Sequence, residues 1–429
     1  CVPATVFETA GATIDLDGIR ELFALPRVNY LAEMMNFPGV LHKDPEVMAK
    51  IQLAHELGKR VDGHAPGLRG EAAKSYIEAG ITTDHECFTL EEALDKLSFG
   101  MKIQIREGSA AKNFEALWTL IDSHTDNIML CSDDKHPNDL VRGHINLLAK
   151  RAIAKGCDLF NVLQVCSKNT IDHYGMEIGY LQTGQSADFC LVKDLTDFEV
   201  VATYIDGNLV AQNGETLILS VNERIINHFN REPITLNDLK IPAQSKDVQV
   251  IEVEDGQLIT NKGLATLSEK NACLESDVEQ DVLKLVVVNR YENKAPALAF
   301  IKNMGLKKGA IASCVAHDSH NIIAVGTNDE DLCEAINSII EAKGGVSLAN
   351  GDQHELVALP VAGIMSAEDG YKVAEAYEKI DQAAKGLGTP LNSPYMTLSF
   401  CALLVIPSLK LSDKGLFDGD EFCFTSLYK

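Results

Sequence analysis

The sequence predicts an α/β protein in three parts: a parallel β/α array over residues 1–175, a small β-sandwich portion over 176–221 and a C-terminal α/β domain over 248–429. Three observations carry this reading. Short apolar strands alternate with amphipathic helices five times before residue 156, which calls for a parallel sheet with helical crossovers. Nearly every one of those strands ends in a residue able to bind a metal or carry a proton. Beyond residue 175 the pattern breaks into brief β-rich runs punctuated by Gly, Asp-Gly and Asn-Gly, then returns to long apolar strands and helices.

Residues 28–35 read as the first strand, and 44–57 as a helix opened by Asp-Pro, where proline sits at a position whose amide needs no partner. Strand 60–63 with helix 70–79, strand 81–84 with helix 89–99, strand 102–105 with helix 113–122, and strand 127–131 with helix 140–155 follow. The strand ends hold Glu33, His64, His85 with Glu86, Arg106 with Glu107, and Asp133 with Asp134. A closed (β/α)8 barrel gathers such ends at one point, whereas an open doubly wound sheet spreads them along a line, so this set favours the later part of a barrel. Strands at 189–192 and 200–205 come next, the second running into an Asp206-Gly207 hairpin turn. The polar stretch 222–247 reads as a linker. The last domain is expected to hold strands at 283–289, 310–316, 322–325 and 345–349, a helix at 328–343 capped by Asn328 or Asp329, and a helix at 367–387.

Composition narrows the function. Hydrophobic residues make up 46% and charged residues 23% of the 429, ordinary values for a folded soluble chain. A net charge of -24 without a basic tract repels a phosphate backbone or an anionic membrane, so no nucleic acid and no membrane is expected as a partner. A small neutral substrate is compatible. No apolar run is long enough to span a bilayer. The eleven cysteines form no Cys-x-x-Cys pair and read as reduced thiols of a cytoplasmic protein.

Two imidazoles and two carboxylates on successive strand ends form a mixed nitrogen and oxygen donor set, better suited to Zn, Fe or Mn than to Ca or Mg. Each residue alone has a blander reading. Glu33 could be a paired structural carboxylate, His64 a turn histidine before Pro-Gly, His85 a satisfied core residue, and Asp133-Asp134 a helix cap. Four strand ends with metal-type residues are hard to assign jointly to packing.

Longer strings identify a resemblance. Leu-Ala-Glu-Met-Met-Asn-Phe-Pro-Gly-Val at 31–40, Val-Asp-Gly-His-Ala-Pro-Gly at 61–67 and Thr-Asp-His-Glu-Cys at 83–87 closely resemble adenine deaminases of the amidohydrolase superfamily. So do Ile-Arg-Glu-Gly-Ser at 105–109, Cys-Ser-Asp-Asp at 131–134, Gly-Gln-Ser-Ala-Asp at 184–188 and Tyr-Ile-Asp-Gly-Asn at 204–208. The last domain adds Ser-Cys-Val-Ala-His-Asp-Ser-His-Asn at 313–321 and Met-Thr-Leu-Ser-Phe at 396–400. The resemblance implies a metal-dependent-hydrolase barrel, a β-sandwich and a C-terminal α/β domain. It implies hydrolysis of adenine to hypoxanthine and ammonia, with adenine and water as reactants, at a binuclear Mn or Fe centre. By the same resemblance Glu33, as the bridging or ligating carboxylate, would bind metal with His64, His85 and Asp133. Asp133 would also accept the water proton, with Asp134 as the alternative, and Glu86 would protonate the purine ring nitrogen. Arg106, Glu107 and Ser109 are expected to shape the substrate pocket, with salt bridging an equal reading for the first two.

The chain departs from the family in one respect: it contains no His-x-His pair, which amidohydrolases carry on their first barrel strand. The resemblance then implies that this strand lies upstream of Cys1 and that the barrel here is incomplete, with half of a metal site. Such a chain would be inactive by itself unless the four strand-end residues suffice for one working metal. The exposed barrel edges would favour a homo-oligomer. His317, Asp318 and His320 follow the strand at 310–316 and could either close over substrate or form a domain-interface network. The competing readings are another cyclic amidohydrolase and a non-catalytic descendant that has lost the His-x-His strand.

Overall fold

The computed structural model describes residues 2–221 and 224–429. Cys1 and the first two positions of the expected linker, Asn222 and Glu223, lie outside the described residues. Two compact units emerge. One comprises Asp15–Lys135 and Asp139–Glu223, the other Cys1–Ile14, His136–Asn138 and Arg224–Lys429.

In the first of these, five strands alternate with helices: β1 (Tyr30–Met34), β2 (Arg60–Gly63), β3 (Thr83–Asp84), β4 (Lys102–Arg106) and β5 (Ile128–Cys131). All ladders are parallel, β1 with β2 and β3 with β4 with β5. The amide of Thr82 donates to Val61 O at 2.9 Å and joins β2 to the β3 side. Spatial order thus follows chain order without reversal. Apolar side chains such as Val61, Ile103, Ile105, Ile128 and Met129 are buried, while the helices lie outside in the crossovers.

Local chemistry explains the helix ends. Asp44 caps Pro45–Glu56, its carboxylate accepting from the amides of Glu46 and Val47 at 3.0 and 3.1 Å. Thr89 does the same for Leu90–Ser98 through the amide of Glu92. Two expectations are corrected. The helix expected at 113–122 is two single turns, Phe114–Leu117 and Leu120–Ser123, separated where Ile121 N bonds to Trp118 O in a tighter i→i−3 step. The helix expected at 140–155 covers only Ile145–Ala154, because Gly143 at φ 146° takes a backbone no helix allows. A four-stranded antiparallel sheet, Phe189–Val192, Val200–Ile205, Asn208–Gln212 and Glu215–Thr216, completes the unit.

The second unit is built on an eight-stranded sheet. Its strand order is Asn261–Thr266, Asp247–Glu252, Ala297–Lys302, Val282–Val288, Ile322–Gly326, Ala310–Ser313, Gly345–Asn350, Gln353–Ala358. Only the pair Asp247–Glu252 with Ala297–Lys302 is parallel, so the α/β domain expected from sequence is a mixed, mostly antiparallel sheet. Asp247–Glu252 begins inside the stretch read as a linker. The central strand Val282–Val288 is buried along its whole length. Leu283, Leu285 and Val287 pack with Tyr377, Ile380 and Ala384 of the helix Gly370–Gly386. Val286 and Val288 face the opposite way, onto Leu332, Ile336 and Ile339 of Asp329–Ala342. A strand covered on both faces needs the near-continuous apolar run seen there. Asn328 is the residue that caps Asp329–Ala342.

Candidate functional site

Glu33, His64, His85 and Asp133 sit at or just beyond the C-terminal ends of β1, β2, β3 and β5. Gly63, the last residue of β2, passes so close to its neighbour that an added Cβ would lie 2.4 Å from Thr83 O and 3.0 Å from Tyr76 OH. That approach lets the Tyr76 hydroxyl accept from His64 N at 3.0 Å while it donates to Met34 O at 2.7 Å. One buried phenol therefore ties the strand that carries Glu33 to the residue that follows β2.

A second buried device ties β2 to β3. Asp84 Oδ1 accepts from the amides of Ala65 (3.2 Å) and Glu86 (3.1 Å). Lys96 pairs with Asp84 and donates to Ala65 O and Glu92 Oε1, both at 2.7 Å. Glu92 Oε1 accepts in addition from Gly67 N at 2.8 Å. Burial pushes the Asp84 carboxyl up, but the adjacent Lys96 ammonium brings it below its ordinary value. Asp84, Cys87 and Glu92 also lie close enough to hold a cation, and the Lys96 ammonium occupies that role.

Held this way, the side chains converge. Glu33 Oε2 lies 3.3 Å from His64 Nδ1 and 3.0 Å from His85 Nε2. Asp133 Oδ2 lies 3.1 Å from His85 Nε2, and Glu86 Oε1 lies 3.3 Å from it. Two overlapping donor groups result, Glu33–His64–His85 and His85–Glu86–Asp133. Glu33 Oε2, both ring nitrogens of His64 and His85 Nε2 are buried yet make no hydrogen bond; they are near one another without being aligned as donor and acceptor. Buried polar atoms without partners are expensive, and lone pairs converging on one point are what a cation satisfies. The residues present therefore fit a transition-metal ion. The electrostatics agree. Burial opposes charge on Glu33, His64 and His85, but His85 and His64 pull Glu33 well below its usual range, and the carboxylates raise both imidazoles, His85 most.

Arg106, only 1% exposed, enters this cluster from β4. Its guanidinium pairs with Glu86, stands 3.0 Å from Asp133 Oδ2 and 3.7 Å from Asp134 Oδ2. Burial raises the Glu86 carboxyl, but Arg106, then His64 and His85, hold it far below its ordinary value. Glu86 is thus ionised at rest. Glu107 points elsewhere, pairing with Arg151 at 2.5 Å. Ser109 Oγ donates to Asp139 Oδ2 at 2.6 Å. A cavity of about 390 Å³ opens on His85 and Asp133, bordered by Tyr30, Asp62, Gln104 and Tyr174. His317, Asp318 and His320 form a cluster in the second unit. Tyr76, Lys96, Asp84 and Glu92 were not anticipated from sequence. Lys96 follows Glu92 by four residues on an amphipathic helix, which reads as an exposed ion pair, and only the packing shows both to be buried.

Residues 16–210 match the amidohydrolase family and 257–423 match the adenine deaminase C-terminal domain. An adenine deaminase of Sulfurovum sp. is 53% identical over 99% of this chain and 78% of its own length. One from Methanosarcina mazei is 47% identical over 100% of this chain and 80% of its own. A solved β-aspartyl dipeptidase of Fervidobacterium islandicum AW-1 overlaps 42% of this chain and 55% of its own, at 20% identity and a TM-score of 0.34. At such identity over essentially its whole length, this chain belongs to the adenine deaminase family.

Proposed function

We propose that this chain catalyses hydrolytic deamination of adenine, giving hypoxanthine and ammonia, at the ends of β1, β2, β3 and β5. The observation that carries the reading is the convergence of Glu33, His64, His85 and Asp133, with Glu33 Oε2, both His64 ring nitrogens and His85 Nε2 buried and unsatisfied. The names of the relatives supply the substrate. The unreversed order of β1 to β5 supports an arc of a (β/α)8 barrel followed by a small β unit and a C-terminal domain. Glu33, His64, His85 and Asp133 would hold Mn or Fe. Such a cation supplies Lewis acidity and makes water ionise near neutral pH.

The chain's own residues perform the proton transfers. Asp133, next to His85, accepts the proton of the water whose oxygen adds to C6 of adenine. Glu86 delivers a proton to the ring nitrogen as the aromatic bond breaks. Because Arg106 keeps Glu86 ionised, Glu86 must first take up the proton it later gives. Arg106 touches both Glu86 and Asp133 and so fixes the spacing of the two proton carriers. The C6 amine takes the proton held by Asp133 and leaves as ammonia, and the C6 hydroxyl gives up its own proton, which restores the one Glu86 delivered. The role of Glu107 and Ser109 in the pocket is indirect in this reading: one braces Arg151, the other Asp139.

Ammonia release from adenine is the test, using two preparations of this polypeptide, one loaded with Mn and one with Fe. Equimolar hypoxanthine and ammonia, lost in Asp133→Asn, is the expected result. Metal bound with adenine untouched by both would move the reading to another cyclic amidine or amide. Absence of metal from both would favour a non-catalytic descendant.

A further inference from the structure

The second unit holds a cluster of metal-type side chains that the proposed deamination does not use. One nitrogen or oxygen from each of His317, Asp318 and His320 lies within 4.8 Å of the others. His317 is 8% exposed, and its ring stacks on Phe400 at 4.6 Å and 11°, which fixes its plane. Its Nδ1 stands 3.0 Å from Asp318 Oδ1. His320 is set by a backbone bond from its amide to Ala316 O at 2.7 Å.

An independent observation points to the same place. The segment around Glu8 is pinned onto this unit. Ser412 Oγ donates to Phe7 O at 2.8 Å, Thr9 N donates to Asp413 Oδ1 at 2.8 Å, and Lys414 Nζ donates to Glu8 O at 3.0 Å. Asn321, beside His320, donates through Nδ2 to Thr9 O at 2.9 Å. Glu8 is only 3% exposed. Its Oε1 accepts from Thr5 N, but its Oε2 is buried with no hydrogen-bond partner, close enough to Asp318 for the two carboxyls to repel. A carboxyl oxygen left in this state costs free energy unless a cation or proton meets it.

We propose that His317, Asp318 and His320, with Glu8 as fourth donor, form a divalent transition-metal site in the C-terminal unit, separate from the β1–β5 centre. Two imidazoles and two carboxylates match the donor preference of Zn, Mn or Fe at a four-coordinate site. Bound there, the ion cross-links the segment 5–9 to the loop after Ala310–Ser313. Its role is structural or regulatory, and it needs no part of the deamination reading.

The test removes the first centre with His64→Asn and His85→Asn, then measures bound Zn by atomic emission and the visible absorption of bound Co. Circular dichroism confirms folding. One retained equivalent, abolished by adding His317→Asn and His320→Asn and weakened at least tenfold by Glu8→Gln, is the expected result. A folded protein that retains no metal, or retains it regardless of His317 and His320, overturns the proposal. Should the quadruple variant fail to fold, His317→Asn with His320→Asn in the otherwise unaltered chain must lower the stoichiometry by one equivalent; an unchanged stoichiometry overturns it equally.

Discussion

Replacing Lys96 with methionine probes the device that holds two of the candidate ligands in place. The ammonium is fully buried, donates to Ala65 O and Glu92 and pairs with Asp84, while Asp84 and Glu92 are themselves no more than 1% exposed. Lys96→Met keeps the aliphatic stem and deletes only the charge. Two carboxylates then remain in the interior without a counter-charge, and the Ala65 carbonyl loses its donor. Breaking a buried pair from one side costs about 3–5 kcal/mol, a large share of the roughly 5–15 kcal/mol that keeps a domain folded. The measurement is urea unfolding followed by circular dichroism. The pH dependence has a defined sign. In the unaltered chain Lys96 depresses the Asp84 carboxyl, so that contribution is present above the unfolded carboxylate pKa and is lost as pH falls. Without Lys96 burial dominates and Asp84 protonates more readily, so the deficit of the variant shrinks on acidification. Adding Asp84→Asn to Lys96→Met should restore part of the loss. A deficit under about 1 kcal/mol at neutral pH, or one that grows on acidification, would refute the reasoning.

Further predictions follow from other contacts. Tyr76→Phe leaves the His64 amide and the Met34 carbonyl unpaired, at a cost of roughly 1–3 kcal/mol, and loosens the ligands enough to weaken metal affinity about 10–100-fold by competition with a chelating dye. An equally destabilising change remote from the site should leave that affinity alone. Asp133→Asn should cut ammonia release by at least about 10²-fold while circular dichroism stays unchanged. Burial pushes the Lys410 ammonium down to about 8; it donates to the carbonyls of Leu258 and Phe400. Between that value and the unfolded lysine pKa the unfolded chain binds more protons. Stability contributed by this group therefore rises over that window by up to roughly 3 kcal/mol, a slope that Lys410→Met should remove in paired unfolding curves.

Sequence alone determined what is periodic or chemically typed. The five β/α repeats, the Asp-Pro and Asn caps and the candidate donors Glu33, His64, His85 and Asp133 were all legible, because strand alternation, capping and donor type are written in local residue order. What it missed depends on contacts between residues distant in the chain. The break at Gly143 needs a backbone angle, not a residue type alone. The strand directions in the second unit depend on which neighbours pair, and apolar runs such as Val282–Val288 look alike in parallel and antiparallel sheets. Lys96, Glu92 and Tyr76 carry ordinary helix-surface identities, and burial turned them into the supports of the ligand set. Glu86 shows the division most sharply. Its type and place in the Asp-His-Glu string mark it as a proton carrier, but its resting charge is decided by Arg106, one strand away, because a buried guanidinium stabilises a carboxylate far more strongly than any local neighbour does.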